Sequence, residues 1–111
     1  MEKPTKDDLG VALRLIRDAA RKVRDGGWES GPSMLDAVDA AAPVLVRSSN
    51  LPKEIEWLKD QLVVDCGSWR ELCILIKREP ANSDLNEVAR FLTRHMVDRA
   101  DAVLAWLKDR A

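Results

Sequence analysis

One histidine, His95, and two cysteines, Cys66 and Cys73, are the residues from which acid–base, thiol or soft-metal chemistry would have to start in this chain. No glycine-rich phosphate loop, nucleophile elbow or paired metal-ligand spacing accompanies them. Cys66, Cys73, His95 and Asp65 match no zinc spacing, so two buried structural cysteines are expected, with no metal and no cofactor. Seven residues apart on one helix, the two thiols would stand about 10 Å from each other, beyond disulfide reach. Asp65, His95 and Arg99 occupy positions where the helical period requires apolar side chains. A buried charge costs several kcal/mol unless it is paired. Asp65 is therefore expected to meet Arg99 or His95 across the fold, as a structural ion pair or as part of a site, unless a helix bend exposes all three.

Arg90 and His95 also form an Arg-x4-His spacing, Arg90-Phe91-Leu92-Thr93-Arg94-His95. This resembles the motif of HEPN-domain ribonucleases, small helical bundles that act as dimers and cleave RNA without a metal. The resemblance implies His95 as acid/base and Arg90 as stabiliser of the phosphate or transition state. It covers six residues. Phe91 replaces the polar residue often found after the arginine, and Val97 the tyrosine of one branch. On a straight helix the two side chains point about 140° apart. Trp69-Arg70-Glu71-Leu72 in turn resembles a core segment of the death-fold interaction domains, a resemblance that requires six helices and so breaks in both of the long last ones.

Two surfaces suit binding better than chemistry. Arg14, Arg17, Arg21 and Arg24 run along one side of the first helix, and four guanidiniums in a stripe suit phosphate or carboxylate groups. Asp18 and Asp25 dilute that field, so a solvated face with local ion pairs is the competing reading. The third helix carries a second apolar set, Trp57, Val64 and Leu75, nearly opposite its main apolar face, with Val63 and Ile74 between. A helix apolar on two sides is either surrounded by neighbours or presents one side to another chain. Trp57 is the expected anchor, since tryptophan is enriched at binding hot spots.

The elements that must position these residues are all helical. No stretch alternates strictly, there is no tyrosine, and phenylalanine occurs once. Helix 1 opens at Thr5 with Asp8 as a capping-box pair, repeats Leu9, Ala12, Leu13, Ile16, Ala19, Ala20 and Val23, and stops at Gly26-Gly27. Trp28 is expected to fold back as a plug. Ser33 reads as the next N-cap, and Pro43 as a kink on the solvent side, with a break there as the alternative. Pro52 opens the third helix, whose register runs unbroken from Ile55 to Ile76, although Cys66-Gly67-Ser68 favours a break or bend at Gly67. The last helix starts near Asp84, buries Leu85, Val88, Ala89, Leu92, Met96, Val103, Trp106 and Leu107, and is open to interruption near Asp98.

The expected fold is all-α, a compact bundle of four to six helices forming one domain over residues 1–111. The composition is that of a folded domain, 46% hydrophobic and 33% charged. Eighteen basic against nineteen acidic residues leave a net charge of -1, which argues against a general nucleic-acid or membrane coat. The charged opening Met1 to Asp8 is unlike a signal peptide, and with two unpaired cysteines a cytoplasmic location is expected. Alanine, arginine and aspartate are favoured over lysine and asparagine, a bias pointing to a bacterial or phage source.

The expected function is a non-catalytic protein-interaction module, such as an adaptor, an inhibitor or a small subunit. It would bind itself or a protein partner through Trp57, Val64 and Leu75 and the arginines Arg14, Arg17, Arg21 and Arg24. The alternative is a metal-independent ribonuclease using Arg90 and His95, with RNA as substrate. No membrane and no small-molecule substrate are expected.

Overall fold

Thr5 begins the first helix for the reason its sequence suggests. In the computed structural model, which describes residues 3–27 and 31–109, the Asp8 N–H donates to Thr5 Oγ1 at 3.1 Å. The Thr5 N–H donates back to Asp8 Oδ2 at 2.9 Å, closing the capping box. Helix α1 runs Lys6–Gly26 and ends where Gly27 takes φ 86°, its N–H donating to Val23 O at 2.8 Å. That left-handed backbone suits glycine, which has no Cβ to clash. The plug expected of Trp28 lies outside the described residues.

Helix α2 spans Gly31–Arg47. It begins two residues before Ser33, so Ser33 is not its N-cap. Pro32 sits in the first turn, where a missing N–H removes no helical bond. Pro43 lies exposed inside α2, and the helix continues through it to Arg47. At the end of α2 the Ser48 hydroxyl donates to Val44 O at 2.8 Å. Asn50, with φ 62°, then makes the turn, in the left-handed region that asparagine tolerates better than most residues.

Helices α3, Lys53–Arg78, and α4, Ser83–Asp109, are both continuous. The break expected at Gly67 and the interruption near Asp98 are absent. Glycine inside a helix costs about 1 kcal/mol. A bend there would displace Cys66, Trp69, Leu72 and Ile76, which all share the buried face on either side of Gly67. Their burial, at about 1.5–3 kcal/mol for each large side chain, outweighs the glycine penalty. Asn82 Oδ1 accepts the Asp84 N–H at 3.0 Å and holds the start of α4. The described helices number four, so the six that the death-fold resemblance implies are not met.

Each helix packs against its neighbours in chain order and α1 also packs against α4, which closes the ring. Short connections between successive helices make neighbours antiparallel, and the bundle measures 44 × 27 × 20 Å. Leu13, Ile16, Val38, Leu45, Leu62, Trp69, Met96 and Val103 are fully buried on its axis. Lys59 is buried too, where periodicity gave no warning. Its ammonium donates to Ser48 O at 3.3 Å and pairs with Glu56 at 2.9 Å and Asp60 at 3.1 Å, tying the α2–α3 turn to α3. Burial alone would lower the Lys59 pKa, but the hydrogen bonds and charges of Glu56 and Asp60 raise it.

Cys66 is buried and Cys73 half-buried. Burial, reinforced by the nearby Asp65 carboxylate, pushes the Cys66 thiol up to about 12. Burial and Asp39 raise Cys73 to about 11. At pH 8 each holds roughly two to three orders of magnitude less thiolate than an exposed cysteine of pKa about 8.5. Both should therefore resist Ellman's reagent in the native protein and react promptly in urea. Stoichiometric labelling of the folded chain within seconds would contradict this packing.

Candidate protein-interaction face

The α3–α4 seam is set by one contact. Arg99 Nη1 on α4 donates to both carboxylate oxygens of Asp65 on α3, at 2.7 Å to Oδ1 and 2.6 Å to Oδ2. Asp65 keeps 9% of its side chain exposed and Arg99 25%. Of the two partners open to Asp65 in the sequence, the fold brings it Arg99. His95, one turn earlier, sets its ring edge-on to Phe91, with centroids 4.5 Å apart. Since α3 and α4 are antiparallel, this ion pair also fixes which residues lie level with each other across the seam.

At about 100° per residue, Trp57, Val64 and Leu75 fall within 20° of one another on α3, on the flank that Asp65 turns toward α4. Val88, Phe91 and the exposed Ala102 fall on the matching flank of α4, on the side Arg99 turns toward α3. The two flanks form one outward face along the helix pair. Its large side chains are well exposed: Trp57 58%, Val64 60%, Leu75 43%, Val88 50% and Phe91 64%. Five of the nine large exposed hydrophobics among the described residues thus lie on this face. Isolated exposed apolar residues are ordinary, whereas a contiguous strip of them marks an interaction surface.

Trp57, Val64 and Leu75 are therefore exposed, and of the two readings of a doubly apolar helix, encirclement by neighbours does not apply to this side. Val88 was expected in the core of α4 and is not there; it flanks the seam instead. Neither Val88 nor Phe91 stands out in the sequence as part of a binding surface. The signal that would have found them is the pairing of α3 with α4, which no single helix carries.

The arginine stripe lies elsewhere, along the α1–α4 seam. Arg17 and Arg21 both approach Asp101 of α4, at 3.8 and 3.5 Å. Arg17 also pairs with Asp18 at 3.1 Å, and Arg24 with Asp25 at 2.9 Å. Three of the four guanidiniums are thus engaged within the chain. Arg14 makes no ion pair among the described residues and lies over Gly10, its Nη1 3.4 Å from where a Cβ would stand. With Lys6, Asp7, Arg17 and Lys108 it lines a groove of about 560 Å3, together with Leu104 and Leu107.

Arg90 and His95 occupy opposite flanks of the unbroken α4. The Arg90 guanidinium reaches Gly27, the C-cap of α1, 3.7 Å from where a Cβ would stand, whereas His95 stays beside Phe91 on the α3 side. One chain does not bring the two together. Among the described residues no three His, Cys, Asp or Glu side chains converge as a metal site requires, and no helix is long and apolar enough to cross a membrane. No protein-family model, curated protein or solved structure matches the chain significantly.

Proposed function

We propose that this chain is a non-catalytic helical interaction module that binds another protein chain through the outer face of α3 and α4. One observation carries the reading: the large apolar side chains Trp57, Val64, Leu75, Val88 and Phe91 are all exposed on one outward face of the α3–α4 pair. An adaptor, an inhibitor or a small subunit of a bacterial or phage assembly would present such a face. Trp57 and Phe91 supply the aromatic area that dominates binding energy. The Arg14 groove offers a second, cationic contact for an acidic partner.

The test is a pull-down of the tagged protein from its host, with bound protein and bound RNA scored together. A stoichiometric protein partner, or association between tagged and untagged copies, is expected for the native chain. Trp57→Asp should abolish it while helicity and melting temperature are retained, because Trp57 contributes little to the core. Association that survives Trp57→Asp sinks the assignment of the face. Recovery of RNA cleaved in a way that His95→Ala abolishes would overturn the module in favour of a ribonuclease.

A further inference from the structure

The charges that border the apolar strip say what kind of surface fits it. Lys53, Glu71 and Arg78 lie within about 20° of one another along the outer edge of α3, the side away from α4. Glu87, Arg94 and Asp109 run along the outer edge of α4. None of these six makes an ion pair within its own chain among the described residues, although charges on the α1–α4 seam and the α2–α3 turn do. The breadth of the strip keeps the two edges of one molecule apart.

The Asp65–Arg99 bond places α3 and α4 in a register in which level residues have numbers summing to about 164. Lys53 is then level with Asp109, Glu71 with Arg94, and Arg78 with Glu87. In every one of these three pairs the charges are opposite.

We infer that the α3–α4 face binds a second copy of this chain, in a dimer whose two-fold axis runs parallel to the bundle. This rests on the interaction-module reading and specifies its partner. Turning one molecule about such an axis lays α3 over the partner's α4 without changing height along the bundle. Lys53 meets the partner's Asp109, Glu71 the partner's Arg94 and Arg78 the partner's Glu87, each twice by symmetry. Trp57 lies over the partner's Ala105, whose small exposed side chain leaves room for the indole. Leu75 lies over the partner's Val88 and Phe91. Asp98 faces the partner's Gly67, where no charge stands against it.

The other symmetric way to join the same faces is a two-fold axis across the bundle, which lays α3 on α3 and α4 on α4, each antiparallel. With that axis level with the Asp65–Arg99 pair, where the two faces overlap fully, Lys53 would meet Arg78, Asp60 would meet Glu71, and Glu87 would meet Asp109. All three are like-charge contacts, which oppose association. At full overlap the edge charges thus favour the axis parallel to the bundle.

The experiment is a charge swap read as mass. Light scattering and sedimentation of the purified native chain should give twice the 12.5 kDa of one copy at micromolar concentration. Glu71→Arg alone and Arg94→Glu alone should each raise the dimer Kd roughly tenfold, because two symmetry-related contacts turn repulsive. The double variant Glu71→Arg/Arg94→Glu should restore it, with circular dichroism unchanged throughout. A monomeric native chain at 100 µM, taken as roughly the upper end of the micromolar range in which a specific interface assembles, overturns the dimer. So does a double variant as weak as the singles. A monomer that still captures a host protein through Trp57 would leave the interaction module standing and remove only the self-pairing; loss of both would remove both.

Discussion

Arg99→Met is expected to lower the melting temperature by at least about 10 °C. The substitution keeps most of the side-chain volume but deletes both bonds to Asp65, whose side chain is only 9% exposed. Breaking a buried pair by removing one member costs about 3–5 kcal/mol, because the other charge is left without compensation. In a chain of this size each kcal/mol is worth about 4 °C. Asp65→Ala should cost less, since Arg99 keeps 25% exposure and can carry its head group to water along its aliphatic stem. Asp65→Leu with Arg99→Met should recover most of the loss, because an apolar pair of similar volume carries no desolvation cost. Thermal unfolding of the four proteins checks the ordering. If Arg99→Met and Asp65→Ala both melt with the native chain, the pair is not holding the α3–α4 seam.

The second large effect is a contrast within one helix. Trp69 and Trp57 are twelve residues apart on α3, about 120° around its axis, at 0% and 58% exposure. Trp69→Ala removes an indole from the fully buried centre and should cost about 3–5 kcal/mol, as large-to-small core changes do. Trp57→Ala should change stability by no more than about 0.5 kcal/mol, because it removes no core contact. Its effect belongs to association instead, where truncating an aromatic hot spot costs about 2 kcal/mol or more. Urea titrations followed by far-ultraviolet circular dichroism separate the two, since they do not depend on tryptophan fluorescence. A Trp57→Ala variant as unstable as Trp69→Ala would mean that the outer side of α3 is packed, and the interaction face would disappear with it.

The two contrasts bear on the same surface from opposite sides. Asp65–Arg99 holds α3 and α4 in the register on which the edge-charge argument depends, while Trp57 reports on the strip that the register exposes. Arg99→Met should therefore weaken self-association as well as stability, whereas Trp57→Ala should weaken association alone.

Much of the local architecture was legible in the residues themselves. Thr5 with Asp8, the Gly26-Gly27 stop and the Pro52 start are decided by hydrogen bonds or dihedral limits within a few residues, so the chain states them directly. The outward set Trp57, Val64 and Leu75 was equally readable, because a helical period orders side chains around their own axis. Periodicity has no information about what lies on either side of that axis. Whether α3 turned one apolar side or both into the bundle depended on where α2 and α4 settled. The same placement chose Arg99 over His95 for Asp65, moved Val88 from the expected core to the flank, and buried Lys59 among Glu56, Asp60 and Ser48 O. It also carried α3 straight through Gly67, since core contacts on both sides of that glycine exceeded its local cost. The sequence by itself thus determined the helices, their caps and the direction each side chain takes from its own axis. Tertiary structure alone decided which of those directions meet protein and which meet solvent, because that depends on free energies summed over neighbouring helices far apart in the chain.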